Sequence, residues 1–92
     1  MTTLKEIRII RLMADIELRI KEITCIIRSA ANDYYIGNIN HRSALNVYRN
    51  NIKSLMYYSR VYQSLSYSIN ENEELSKEMF VEVTTLIKFF EC

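Results

Sequence analysis

Residues 3–40 read TLKEIRIIRLMADIELRIKEITCIIRSAANDYYIGNIN, and the spacing of their apolar residues decides the fold. Apolar or small side chains recur at alternating steps of four and three residues, at Ile9, Met13, Ile16, Ile20, Ile23, Ile27 and Ala30. Such a heptad row is typical of a helix that packs lengthwise against another helix at a shallow angle. Thr3 and Glu6 have the spacing of a capping box, and Gly37, the only glycine, suits a helix C′ position. The pattern therefore predicts a first helix over about 4–34.

A short turn, Gly37-Asn38-Ile39-Asn40, separates this helix from a second row of apolar residues. Helices joined by so short a link lie antiparallel and side by side, and Asn38 or Asn40 can cap the second helix. The second row consists of Leu45, Tyr48, Ile52, Leu55, Tyr62, Leu65 and Ile69, with Tyr58 at its edge. This row predicts a second helix over about 41–69.

A third helix is predicted over about 72–91, because Asn70 or Asn72 can cap an acidic first turn of the kind that helix N-termini prefer. Its apolar row consists of Leu75, Met79, Val83, Leu86 and Phe90, and Phe80 and Ile87 widen it on one side. The chain has one glycine and no proline in 92 residues, so helix breakers are almost absent. We therefore expect a single all-α domain over residues 1–92, a long antiparallel helical hairpin plus a shorter third helix in a three-helix bundle.

Charge is unevenly distributed along the chain, although the net charge is only +1. Residues 34–70 carry four basic side chains and no acidic one, whereas residues 71–92 carry two basic and six acidic side chains. The four basic residues fall within about 40° of one another on a helical wheel. This basic ridge consists of Arg42, Arg49, Lys53 and Arg60. A basic ridge can follow a nucleic-acid backbone or meet an acidic partner.

An acidic stripe on the third helix offers a simpler role for the basic ridge. The stripe consists of Glu71, Glu74, Glu78 and Glu82. Its sign suits the basic ridge, so the two sets of charges could neutralise each other within the fold. A solvated or internally neutralised face is therefore the simpler interpretation, with an anion or nucleic acid as the alternative.

Apolar side chains outside the three rows indicate a binding function. A fold of 92 residues buries only ~60–65% of its unfolded surface, so spare apolar surface is most simply covered by another protein or a second copy. The candidate contact residues are Ile7, Ile10 and Leu18 on helix one, Val47, Tyr57 and Val61 on helix two, and Phe80 and Ile87 on helix three. We expect either a protein partner with an amphipathic helix or a homodimer.

The residue types that carry catalysis are sparse and scattered. His41 is the only histidine, and a polar residue in the first turn of helix two is the simpler interpretation of it. Cys25 and Cys92 lack metal-ligand spacing, which favours free thiols in a reducing compartment. We therefore expect no enzymatic activity, no cofactor and no metal site. No apolar run approaches the ~20 residues of a membrane span or forms a signal-peptide core, so a cytoplasmic protein is expected.

Residues 1–68 resemble the small helical-hairpin co-chaperones of type III secretion needle subunits. The resemblance rests on the opening MTTL, the long heptad helix, the Gly37-Asn38 hinge and the segment NVYRNNIKSLMYYSRVYQSL at residues 46–65. In that family the hairpin joins a second chaperone and covers the amphipathic helix of the needle subunit in the cytoplasm before export. The resemblance implies a non-catalytic binding function, with an apolar contact surface drawn from both hairpin helices. The alternative is a phage or viral regulatory protein that acts on a host factor or nucleic acid through the basic ridge.

Overall fold

The computed structural model describes residues 3–69 and 73–91, with the side chain of Glu73 outside the described part. Its helices are α1 (Leu4–Tyr35), α2 (His41–Ile69) and α3 (Glu73–Glu91). The predicted fold class is confirmed: the protein is all-α, a long antiparallel hairpin of α1 and α2 with a shorter α3. The molecule measures 53 × 19 × 18 Å, so it is a narrow bundle with the helices along its length.

Two of the helices begin at side-chain caps that the sequence predicts. The Thr3 hydroxyl oxygen accepts a hydrogen bond from the Glu6 amide at 3.1 Å, which caps α1. The side-chain oxygen of Asn40 accepts a hydrogen bond from the Ser43 amide at 2.8 Å and caps α2 in the same way. Six other positions named in the sequence predictions lie outside the described residues: Met1, Thr2, Asn70, Glu71, Asn72 and Cys92.

The turn between α1 and α2 depends on Gly37. Its φ is 86°, in the left-handed region that residues with a Cβ rarely adopt. The Gly37 amide donates to the Tyr34 carbonyl at 3.1 Å, and the Asn38 amide donates to the Asp33 carbonyl at 2.8 Å. This pair of bonds is a Schellman motif, and it confirms the predicted C′ position of the glycine.

The core lies along the seam where the three helices meet. Its buried hydrophobic residues are Met13, Ile16, Ile20, Ile27 and Ala30 from α1, Ala44, Tyr48, Ile52, Leu55 and Tyr62 from α2, and Met79, Val83 and Leu86 from α3. All but Ala44 belong to the predicted rows, and the other row positions, such as Ile9 and Leu45, are partly buried against them. Three polar residues outside the rows, Thr24, Ser66 and Ser76, are also buried.

α3 packs more extensively against α2 than against α1. Phe90, near the end of α3, stacks on Tyr48, near the start of α2, with ring centroids 4.6 Å apart. The two helices are therefore antiparallel, and α3 runs in the same direction as α1. Arg28 of α1 forms an ion pair with Glu82 of α3. These contacts hold α3 against one face of the hairpin.

Candidate protein-binding site

An open groove lies between α1 and α2 close to the hairpin turn. Its volume is about 970 Å³, and α1 lines it from Lys21 to Asp33. Facing them are Ile39 in the turn and Ser43 and Val47 in the first turns of α2. We call this surface the hairpin groove. It draws on both helices of the hairpin, and Ala30 is the one lining residue that also belongs to the buried core.

Small side chains form much of the hairpin groove, and aliphatic side chains form its walls. The small residues are Cys25, Ser29, Ala30 and Ser43. The aliphatic residues are Ile26, Ile39 and Val47, of which Ile26 is 48% exposed. Small residues let a second backbone approach closely, while aliphatic side chains offer surface to cover. The shape of the hairpin groove thus suits a bound helix.

The hairpin groove and α3 lie on different faces of α1, and Lys21 and Cys25 line both the groove and a cavity next to α3. Thr24 and Arg28 also line that cavity of about 330 Å³, which α1 shares with Glu78 and Glu82 of α3. Ile26, two residues after Thr24, and Ser29, one residue after Arg28, point away from α3 and line the hairpin groove. α3 therefore leaves this face of the hairpin uncovered in the part of the chain that the structure describes.

The three candidate contact residues on α2 occupy different environments. Val47 lines the hairpin groove and is partly buried. Tyr57 is exposed, and its ring meets that of Tyr58 edge-on with centroids 5.5 Å apart. Val61 is partly buried and packs against the core. Of the three, Val47 is the residue that the structure places in the groove.

The candidate residues on α1 form a separate exposed surface. Ile7, Ile10 and Leu18 are all exposed, and helical geometry places them on the side of α1 away from its buried row. They do not line the hairpin groove. The structure therefore does not combine them with Val47 in one surface.

The two candidate residues on α3 do come together. Phe80 and Ile87 line a cleft of about 200 Å³ between α2 and α3, with Met56 and Arg60 on the α2 side. Phe80 is 62% exposed, whereas Ile87 is partly buried against the core. We call this surface the α2–α3 cleft. Its lining includes Arg60 of the basic ridge and both apolar residues that widen the α3 row, Phe80 and Ile87.

The basic ridge is exposed, and no described carboxylate of the acidic stripe forms an ion pair with it. None of its four cations forms an ion pair with a carboxylate in residues 3–69 or 74–91. Glu78 and Glu82 instead lie on the α1 side of α3, where Glu82 pairs with Arg28. Glu78 and Glu82 are not placed to pair with the basic ridge, because α3 presents their flank to α1 and its Phe80 flank to Arg60.

Ile26 and Ile39 are groove residues that the sequence analysis did not single out. Ile26 lies beside the heptad row, next to Ile27, so the pattern predicts only that it lies at the edge of the buried face. The sequence does contain a signal for Ile26: Cys25, Ser29 and Ala30 lie within about one helical turn of it, and all three have small side chains. An exposed isoleucine among small residues indicates a helix-binding groove more strongly than an isolated aliphatic residue does.

Other kinds of site find no support in the described residues. His41 is exposed, and its ring meets Tyr34 edge-on with centroids 5.4 Å apart. Across residues 3–69 and 73–91, no three histidine, cysteine or carboxylate side chains gather where they could hold a metal ion. No helix in this part of the chain combines the length and apolar character needed to cross a membrane. No protein-family model, curated protein sequence or solved structure matches the chain.

Proposed function

We propose that this protein is a non-catalytic binding module whose hairpin groove takes one amphipathic helix of a partner protein. The observation that carries the proposal is the groove itself, an open depression of about 970 Å³ between α1 and α2. A helix laid in it would lie on a different face of the hairpin from α3. The four helices would then form a bundle in which both faces of the hairpin are covered.

The length of the hairpin groove suits a helix of about three turns. Along α1 the lining runs from Lys21 to Asp33. At 1.5 Å per residue this is a span of about 18 Å, which twelve residues of a partner helix would match. A segment of that length is marginal as a free helix and gains most of its stability by packing an apolar face against another protein.

Apolar burial would supply most of the binding energy. Full burial of an isoleucine or valine contributes ~1.5–3 kcal/mol, and Ile26 still has about half of its surface to cover. Ile39 and Val47 are partly exposed on the opposite wall. The small side chains of the groove let an incoming helix reach both walls at once.

Charges at the ends of the hairpin groove favour one orientation of a partner helix. Lys21 already pairs with Glu17 at 2.9 Å, and Glu22 pairs with Arg19 at 3.8 Å. Asp33, at the end nearest the turn, forms no ion pair with a cation of residues 3–69 or 74–91. A partner helix with a lysine or arginine at that end would therefore be favoured, mainly through orientation and association rate.

The resemblance of residues 1–68 to needle-subunit co-chaperones supports a specific partner. We take that partner to be a small helical subunit of a type III secretion needle, held in the cytoplasm before export. Its amphipathic helix would occupy the hairpin groove and be kept from aggregating. This role requires a binding surface and no catalytic group.

The proposal is tested by substituting one exposed aliphatic residue inside the groove and one outside it. Ile26→Asp places an unpaired charge in the groove, whereas Leu18→Asp places it on the outer surface of α1. Both side chains are exposed, so helix content measured by circular dichroism should be the same in both variants. In pull-downs from the source organism's lysate, we expect wild type and Leu18→Asp to recover a small helical protein that Ile26→Asp loses.

Two results would contradict the proposal. One is recovery of the same partner by Ile26→Asp, or its equal loss with Leu18→Asp. The other is a homodimer, detected by sedimentation of the purified protein, that Ile26→Asp dissociates. A second copy of the chain would then be the occupant of the hairpin groove.

A further inference from the structure

We propose that the α2–α3 cleft, together with the basic ridge, is a second docking surface that takes an acidic amphipathic helix. The surface is separate from the hairpin groove, because the two share no lining residue. The inference therefore goes beyond the proposed function and does not depend on it.

The α2–α3 cleft has apolar lining residues, among which Phe80 is the exposed side chain. Met56 from α2 and Phe80, Val83 and Ile87 from α3 line it. Phe80 is 62% exposed, although its neighbours Met79 and Val83 are buried in the core. A large aromatic side chain at the edge of a cleft is a common anchor for a partner.

The rim of the cleft carries positive charge. Arg60 lines the cleft, and Lys53 and Arg49 follow it along the same side of α2. On α3, Lys77 lies three residues before Phe80, and Lys88 lies four residues after Thr84, so both fall on the cleft side of the helix. All are exposed.

Positive charge predominates on this face because of the sequence and the way α3 packs. No Asp or Glu occurs between residues 34 and 70, so α2 contributes none. α3 directs Glu78 and Glu82 towards α1. Glu91, at the end of α3, is the carboxylate of this helix that lies beside α2, where it accepts a hydrogen bond from Tyr48. A partner with carboxylates on both sides of its apolar stripe would therefore match the apolar cleft and the rim together.

A helix fits the cleft better than a nucleic acid does. Single-stranded nucleic acids are held by several aromatic rings that stack on successive bases. Five of the nine residues that line the cleft are polar: Ser59, Arg60, Gln63, Ser76 and Thr84. Phe80 is the one ring among the nine, and the remaining contacts are the aliphatic side chains of Val83 and Ile87 and the thioether of Met56. Such contacts complement leucine and isoleucine side chains. Nucleic acid is therefore an outcome for the test to detect.

Fluorescence anisotropy with designed peptides tests the inference. The probe is a labelled helical peptide of about 18 residues, with leucines on one face and glutamates on both flanks. A matched peptide carries lysine at every glutamate position, and poly-dT represents single-stranded nucleic acid. At about 0.1 M salt we expect the acidic peptide to bind and the lysine peptide and poly-dT not to bind.

Variants then locate the binding. The double substitution Lys53→Glu, Arg60→Glu should weaken binding of the acidic peptide by at least about tenfold, whereas Arg8→Glu on α1 should leave it unchanged. Phe80→Ser should also weaken binding without loss of helix content, since its side chain is largely exposed. Ile26→Asp should have no effect.

Several results would overturn the inference: no binding of the acidic peptide, equal binding of the lysine peptide, or preferential binding of poly-dT. Indifference of peptide binding to the double substitution would do the same. Loss of peptide binding in Ile26→Asp but not in Phe80→Ser would place the peptide in the hairpin groove. That result would leave the proposed function standing and remove the second surface.

Discussion

Tyr48 connects the first turns of α2 to the end of α3. Its side chain is 2% exposed and stacks on Phe90. Burial raises the pKa of its hydroxyl from 10.0 to about 12, and a hydrogen bond to the Glu91 carboxylate and the charge of that carboxylate add to the effect. Ionisation of Tyr48 would place a negative charge in an apolar contact and beside a second negative charge.

The raised pKa of Tyr48 predicts a loss of stability at alkaline pH. The pKa is about 12 in the folded protein and about 10 in the unfolded chain, so the contribution is complete below about pH 10 and is lost as the pH rises towards 12. Two pKa units correspond to about 2–3 kcal/mol. We expect urea unfolding to show this loss in wild type and in Tyr57→Phe, whose ring is exposed, and a smaller loss in Tyr48→Phe. Equal losses in all three proteins would contradict the assignment.

Local chemistry explains which single residues could be predicted from sequence. Thr3, Gly37 and Asn40 have the predicted roles because a cap or a left-handed turn depends on only a few neighbouring residues. Thr24 and Ser66 are buried without any such signal. Small side chains become buried when two helices approach closely, and that distance depends on the packing of the whole bundle.

α3 packs less extensively on the rest of the fold than α1 and α2 pack on each other. Its buried apolar residues are Met79, Val83 and Leu86, and most of its packing is against α2 alone. The ion pair between Arg28 and Glu82 joins exposed or partly exposed side chains, and such pairs contribute about 0–1 kcal/mol. The stability of α3 therefore depends mainly on its three buried side chains and on the partly buried Leu75, Ile87 and Phe90 that pack beside them.

Two substitutions on α3 should separate the contribution of its buried side chains to stability from that of helix propensity. Leu86→Ala removes a buried side chain and should lower the free energy of unfolding by about 2–5 kcal/mol. Val81→Ala removes an exposed one from the same helix and should change it by less than about 0.5 kcal/mol. Urea unfolding measures both values. Similar effects of the two substitutions would show that α3 is not docked as the structure describes.

The sequence predicted the three helices and the antiparallel hairpin because heptad rows and a short turn determine them almost alone. It did not predict which flank of α3 faces α1. Phe80 and Glu82 lie on opposite flanks of the same apolar row, and either flank could face α1. The packed bundle decides this, and with it the position of Glu78 and Glu82 on the α1 side, away from the basic ridge.

At the scale of the whole molecule, a narrow bundle presents two different surfaces. The hairpin groove has aliphatic walls and lies on a different face of α1 from α3, whereas the α2–α3 cleft has a basic rim and depends on α3 for half of its lining. The sequence named Val47, Phe80 and Ile87 as contact candidates without assigning them to these surfaces. It could not group them, because residues far apart in the chain share a surface only after the helices have packed.

The central claim is that a partner helix lies in the hairpin groove, and site-specific photo-crosslinking tests it most directly. A photoreactive phenylalanine derivative would replace Ile26 in one protein and Leu18 in a matched control, since the two exposed residues lie on α1 inside and outside the groove. We predict that irradiation in the source organism's lysate joins position 26, and not position 18, to one small helical protein. Crosslinks from position 18 to the same protein, a crosslink from position 26 to a second copy of the chain, or no crosslink from position 26 would contradict the claim.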